Sequence, residues 1–272
     1  MIVGIDIGST TTKAVIIEDG KLTRRIKTKA ADAVTAASGA FEKIVLENGI
    51  DKNSIEKIKI TGVGASKIKN NIFGIPTDRV NEIDAIGIGG MFLSGASNII
   101  ITNIGTGTVI IEAGDKGISH FGGTGVGGGT ISGLAKKLLP NAGFCDILEL
   151  AKAGNLSQVD LLLGDITDTG ISFLSGETTA ANFGKMLDTA GPPDIALGII
   201  NMVYQVIGVL SVFAARAKNT DRVIVTGNGS NNPIGQKILS GTITAMYGIQ
   251  FIYPEYAEYT TAVGAGISEL KL

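Results

Sequence analysis

Apolar runs in this chain end twice on the same kind of phrase. Ile2-Val3-Gly4 leads into Ile5-Asp6-Ile7-Gly8-Ser9-Thr10, and Ile99-Ile100-Ile101 leads into Thr102-Asn103-Ile104-Gly105-Thr106-Gly107. Each phrase passes straight into a second apolar run, Ala14-Val15-Ile16-Ile17 and Val109-Ile110-Ile111. Short apolar runs bounded by Gly, Ser and Thr predict strands joined by hairpins. Strands are expected near 2–7, 12–18 and 22–28, with Asp19-Gly20 as the turn between the last two. Helical spacing of apolar residues predicts a helix over 31–48, ended at Gly49, then a short strand at 57–61 and a helix over 82–93. The order then restarts. Strands are expected near 98–104, 107–113 and 116–121, a helix at about 131–139, and short helices at 145–153 and 179–188. A strand at 222–227, a helix from Pro233, a strand near 250–253 and a closing helix from Ala262 complete the chain. Two copies of βββαβα make an α/β chain with a mixed sheet in each half. The boundary is placed near residue 96, giving lobes 1–96 and 97–272, with the closing helix free to pack back on the first lobe.

The stretch from Ile195 to Ala215 is nearly all apolar and approaches the length of a membrane span. Pro192-Pro193-Asp194 starts it, Arg216 and Lys218 end it, and Asn201 and Gln205 share one helix face. It reads as a helix of a soluble core or a subunit interface, because no second span accompanies it. A net charge of −2 with no basic tract argues against nucleic acid as a partner. The first residues enter a strand directly, with Asp6 inside its first turn, so no signal peptide is expected. The lone cysteine, Cys145, excludes an internal disulfide and is compatible with the cytoplasm.

The hairpin tips carry the candidate chemistry. Gly8 lets backbone approach a bulky anion, Ser9, Thr10, Thr11 and Thr12 offer hydroxyls and N–H groups, and Lys13 adds a positive charge. Asp6, at the strand end, can hold the waters of a bound Mg²⁺. The second tip has Asn103 where the first has Asp6, and an amide cannot serve as a general base. Gly127-Gly128-Gly129-Thr130, just before a helix, would set free N–H groups and a helix dipole against an anion. Gly227-Asn228-Gly229-Ser230 reads equally as a plain turn or as a surface lying against an adenosine. Two such hairpins in one chain can clamp a polyphosphate from opposite sides, which points to a two-lobed ATP-using enzyme.

In order and content these motifs resemble the acetate and sugar kinase, Hsp70 and actin superfamily. The phosphate and adenosine motifs match Asp6-Ile7-Gly8-Ser9-Thr10, Asn103-Ile104-Gly105-Thr106-Gly107 and Thr226-Gly227-Asn228-Gly229. Within it the chain resembles the type II pantothenate kinases, through 103–108, the glycine cluster running to Leu134, Thr179-Ala180-Ala181-Asn182-Phe183-Gly184 and Gly264-Ala265-Gly266. The likeness implies two actin-like, ribonuclease H-like lobes with ATP between them, a homodimer, and MgATP-dependent phosphorylation of pantothenate at its terminal hydroxyl. It implies Glu82 as the catalytic base and as a substrate contact. It implies ATP contacts from Asp6 through Lys13 (Ile7 included), from Thr106, Gly107, Gly127 to Ile131, Gly227 and Asn228, and a ring of Phe144 stacked on the base.

The family usually carries an arginine just before the Gly-Gly of the cluster, where this chain has His120. Histidine is shorter and mostly neutral at pH 7. His120 reads equally as an edge-strand residue or as a lining of the acceptor pocket, where it would bind pantothenate weakly, make binding pH-dependent, or admit another small alcohol. The opening phrase also resembles the ATPase activators of 2-hydroxyacyl-CoA dehydratases, but their iron–sulfur cluster needs two cysteines per subunit, and Asp84 stands where the activators tend to have one. A nucleotide-binding sensor without turnover is the remaining alternative.

Overall fold

Ile2–Ile7 is buried along almost its whole length, as a strand covered on both faces must be. In the computed structural model, residues 1–29, 32–140, 144–167 and 174–269 are described, without the side chains of Phe144 and Cys145. The first half runs β1 (Ile2–Ile7), β2 (Thr11–Glu18), β3 (Lys21–Lys29), α1 (Ala33–Glu47), β4 (Lys57–Thr61), β5 (Thr77–Arg79) and α2 (Glu82–Ser94). The second begins β6 (Ile99–Ile104), β7 (Thr108–Gly114), β8 (Gly117–Thr124), α3 (Gly128–Leu138) and α4 (Phe144–Lys152). It continues with β9 (Leu161–Leu162), β10 (Thr179–Ala181), α5 (Pro192–Ala217), β11 (Arg222–Thr226), α6 (Pro233–Lys237), α7 (Thr244–Tyr247), β12 (Gln250–Ile252) and α8 (Thr260–Ile267).

Two five-stranded sheets repeat one plan. The first has the order β3-β2-β1-β4-β5 and the second, reversed in reading direction, β12-β11-β6-β7-β8. In each, two antiparallel hairpin strands flank the central one, and two parallel strands follow on its other side. Each sheet is covered on both faces. Helix α1 packs on one face of the first through Ala37, Phe41 and Ile44, and α8 on the other through Ala262, Val263 and Ile267. Helix α5 covers one face of the second sheet through Ile199, Val203 and Ile207, and α2 the other through Ile86. The long apolar helix thus forms core: 61% of its most apolar window is buried.

Helices α2 and α8 cross between the sheets at backbone contact. A Cβ on Gly264 would stand 1.8 Å from the Ala85 carbonyl oxygen, and one on Gly89 2.0 Å from that of Thr260. Only glycine allows this approach.

Three expectations from the sequence change. The helix expected at 179–188 is strand β10 followed by turns, with Phe183 at φ 55° and Met186 at φ 31°. The carboxylate of Asp160, fully buried, is the reason. It accepts from Phe183 N at 2.8 Å, Asn201 Nδ2 at 2.8 Å, Thr179 Oγ1 at 3.1 Å and Asn182 Nδ2 at 3.4 Å, which pulls the segment out of helical geometry. Helix α3 starts at Gly128 rather than near 131, because the Thr130 hydroxyl accepts from Gly127 N at 3.1 Å and satisfies a first-turn donor. The helix from Pro233 is broken into α6, a π-helical stretch at Ile238–Ile243, and α7.

Candidate active site

Strand β1 ends at Ile7 and β2 begins at Thr11, so 8–10 form a tight turn, closed by Gly8 N donating to Thr11 O at 3.1 Å. Strand β6 ends at Ile104 and β7 begins at Thr108, and Gly105 N donates to Gly107 O at 2.8 Å. The two turns meet: Ser9 Oγ and Thr106 Oγ1 are 2.6 Å apart. The first turn of α3 is attached to the second turn, Gly128 N to Gly105 O at 2.9 Å and Gly129 N to Thr106 O at 2.8 Å. The loop after β11 closes the ring. Gly227 has φ +82° and lies so near β6 that a Cβ would be 2.5 Å from the Ile104 carbonyl oxygen. Asn228 Nδ2 donates to Thr11 Oγ1 at 3.1 Å, linking this loop to the first lobe.

A cleft of about 330 Å³ opens here, lined by Asp6, Lys13, Glu82, Asn103, the turn residues Gly8 to Thr11 and Gly105 to Thr108, Gly227 and Asn228, with Val63, Val109, Thr124 and Thr261. A second space of about 520 Å³ adjoins it through Thr10, Thr11, Gly105, Thr106 and Asn228. Its wall is less polar, with Ile131, Leu148 and Tyr204 beside Gly128, Gly129, Gly229, Asn231 and Asn232. Lys27 and Glu258 stand at its edge, paired at 2.6 Å between β3 and the segment before α8.

The charges of the cleft are set by burial. Asp6 and Lys13 face each other in the β1–β2 register, with Lys13 Nζ 3.8 Å from Asp6 Oδ2. Burial pushes the Asp6 carboxyl up, against the pull of Lys13, and pushes the Lys13 ammonium down, against the pull of Asp6. Glu82 opens α2, where Asn81 caps the helix by accepting from Ile83 N at 2.8 Å. Burial raises the Glu82 carboxyl above its ordinary value and the negative charge of Asp6 raises it further. Among the described residues no group of three or more His, Cys, Asp and Glu side chains forms a metal cage.

Most residues singled out in the sequence converge on these two spaces, but not all. Ile7 and Thr12 belong to the hairpin, yet their side chains are buried in the first lobe. Gly127 and Thr130 form the start of α3 without lining either space, whereas Gly128, Gly129 and Ile131 do. His120 is exposed on the edge strand β8, opposite Ile111, and is no part of either lining. Phe144 begins α4, and its ring lies outside the described residues. Sequence reasoning missed Tyr204, whose hydroxyl donates to Gly229 O at 2.7 Å and braces the last loop. The signal was present as a polar group inside an otherwise apolar helix. Leu148, Asn231, Asn232 and Val63 had no local signal.

Paired sheets of this plan, with loops from both facing one cleft, define the actin-like fold of sugar kinases and related ATPases. The chain superposes on an activator of the 2-hydroxyisocaproyl-CoA dehydratase from Clostridium difficile with bound ADPNP, with TM-score 0.68, 19% identity, and 98% of this chain and 93% of that one covered. It also superposes on a ROK family glucokinase from Streptomyces griseus in complex with glucose and AMPPNP, with TM-score 0.59, 15% identity and 97% of each chain covered. At these identities the likeness is one of fold. Sequence comparison is more specific. The family profile described as Fumble matches residues 97–268. A type II pantothenate kinase of Bacillus cereus is 30% identical over 286 residues, covering 99% of this chain and 98% of the relative. The chain belongs to the type II pantothenate kinase (Fumble) family.

Proposed function

We propose that the protein transfers the γ-phosphoryl group of ATP to the terminal hydroxyl of pantothenate, the first step of coenzyme A biosynthesis. The observation that carries this reading is the position of Glu82. Its carboxylate lines the same cleft as both hairpin turns and Asp6, at the capped start of a helix. In this reading the adenosine occupies the less polar space against Ile131, Leu148 and Tyr204, with Gly227 and Asn228 beneath it. The phosphates thread between Gly8 to Thr11 and Gly105 to Gly107, where backbone N–H groups and hydroxyls from both lobes surround them.

Glu82 accepts the proton of the acceptor hydroxyl as its oxygen bonds to the γ-phosphorus, and the bond to the β-phosphate oxygen breaks to release ADP. The raised affinity of Glu82 for a proton suits it to that task. Lys13, held against Asp6, supplies positive charge at the phosphates. Mg²⁺ fits the donor set: one buried carboxylate, Asp6, faces the cleft, and the ion usually keeps several waters and takes its other ligands from phosphates. Bound there, it would neutralise phosphate charge, and the orphaned buried Oδ1 of Asn228 in the same cleft is an acceptor for a water of its shell.

The activator reading lacks its ligands, since the chain has a single cysteine. A homodimer fits the stripe of half-buried Met202, Val206 and Val209 and exposed Phe213 along α5, and the lone cysteine is compatible with the cytoplasm. Incubation with MgATP and pantothenate, followed by mass spectrometry, tests the reading: phosphopantothenate and ADP should form in equal amounts. ADP without phosphopantothenate would remove it.

A further inference from the structure

Two side chains interrupt the polar wall of the cleft. Val63 and Val109 are its hydrocarbon side chains, one from each lobe. Val63 lies in the connection after β4 and is 65% exposed. Exposure of a valine on a loose loop would mean little. Here the backbone on both sides is tied to the end of β1. Gly62 has φ +85°, and a Cβ on it would stand 2.5 Å from Asp6 Oδ1, while Gly64 N donates to Ile7 O at 3.0 Å. The chain therefore holds an apolar group over the cleft and gives it no route into the core. Val109, on β7, and Ile83, the residue after Glu82, both pack against the apolar cluster of Ile86, Ile101 and Ile111. Both valines line the same cleft as Glu82.

We infer that Val63 and Val109 form an apolar pair that grips the acceptor at the carbon next to the accepting hydroxyl and selects alcohols branched at that carbon. The inference rests on the kinase reading above and adds to it the feature of the acceptor that is read. Pantothenate has the matching chemistry, since its hydroxymethyl group is attached to a carbon bearing two methyl groups. In an otherwise polar cleft, methyl groups find favourable contact only against these two side chains. Holding that carbon also fixes the direction of the hydroxyl toward Glu82.

The experiment compares pantothenate with the analogue in which both methyl groups are replaced by hydrogen, using wild type, V63S and V109S. With wild type, kcat/KM for the unbranched analogue should fall by about tenfold or more, the scale of discrimination by apolar groups in a pocket. V63S and V109S should each raise KM for pantothenate and narrow that preference, leaving KM for ATP unchanged. Val63 is exposed, so V63S tests the site without emptying a core, and the wild-type comparison needs no variant. Equal use of both acceptors by wild type, or an unchanged acceptor KM in both variants, overturns the inference and leaves the kinase reading standing. Absence of a phosphorylated product from either acceptor with wild type overturns both.

Discussion

Ser9 Oγ lies 2.6 Å from Thr106 Oγ1, so the tips of two turns separated by 97 residues touch across the cleft. A polyphosphate entering between the lobes meets both hydroxyls at once. Hydrogen bonds to a charged acceptor contribute about 1.5–3 kcal/mol each. Ser9→Ala and Thr106→Ala should therefore each weaken ATP binding by about tenfold or more. The effects should be non-additive in the double variant, because the two groups share one ligand. Calorimetric titration checks this, and wild-type affinity in either single variant would separate that residue from the phosphates.

The crossing of α2 and α8 yields a pair of opposite effects from one substitution type. Gly264→Ala sets a methyl group 1.8 Å from the Ala85 carbonyl oxygen, where backbone must move. Overpacking of this kind costs about 1–3 kcal/mol or more, and Tm should fall by several degrees. Gly39, inside α1, has nothing within 4 Å of an added Cβ. Gly39→Ala should stabilise by about 0.5–1 kcal/mol through helix propensity. Thermal unfolding of the two variants should move Tm in opposite directions.

Burial and the charge of Asp6 raise the Glu82 carboxyl above the ordinary glutamate value of 4.5. The base is active when ionised, so kcat/KM should fall as pH falls through a value above 4.5. Stability carries the opposite sign. A carboxyl raised in the folded state binds more protons folded than unfolded, so its contribution declines as pH rises from the unfolded value to the folded one. Glu82→Gln should therefore raise Tm at pH 7, and the gain should vanish below pH 4.5, where the carboxyl is protonated in both states. A pH series of melting curves for wild type and variant measures it.

Asp160 is fully buried and accepts from four neutral donors, those of Thr179, Asn182, Phe183 and Asn201. Asp160→Ala removes the acceptor those donors share, and each buried donor left unpaired is a desolvation loss of about 1–3 kcal/mol. The variant should lose several degrees in Tm and expose the 179–184 segment to proteolysis. Wild-type melting would show that the network contributes nothing.

The duplicated hairpins were legible in the sequence because their signal is local. An apolar run, a Gly-Ser/Thr turn and a second run need no distant partner to be read, and the hairpins at 2–18 and 99–114 form where the pattern places them. The same holds for α5, with Pro192 and Pro193 at its start. What failed was non-local. Strand β5 has three residues, too few for a period, and exists because β4 pairs with it. Residues 179–184 hold helix-permitting types, and Asp160, some twenty positions earlier, decides against a helix. Tyr204 stands out along the chain as a polar group in an apolar helix, but its bond to Gly229, beside the second space, is a relation no spacing announces. His120 shows the converse: its place just before Phe121 and the Gly-Gly of the cluster is legible along the chain, but the edge strand leaves its side chain exposed and outside the cleft.

Glu82→Gln keeps the shape of the side chain and removes only its capacity to take a proton. The most direct test measures kcat for phosphopantothenate formation and the Kd for ATP in wild type and this variant. Loss of a positioned base lowers kcat by about 10²–10⁴-fold, while the Kd for ATP should be unchanged, because the phosphate loops and the adenosine wall stay intact. A variant that turns over at the wild-type rate would contradict the assignment of Glu82 and the chemistry built on it.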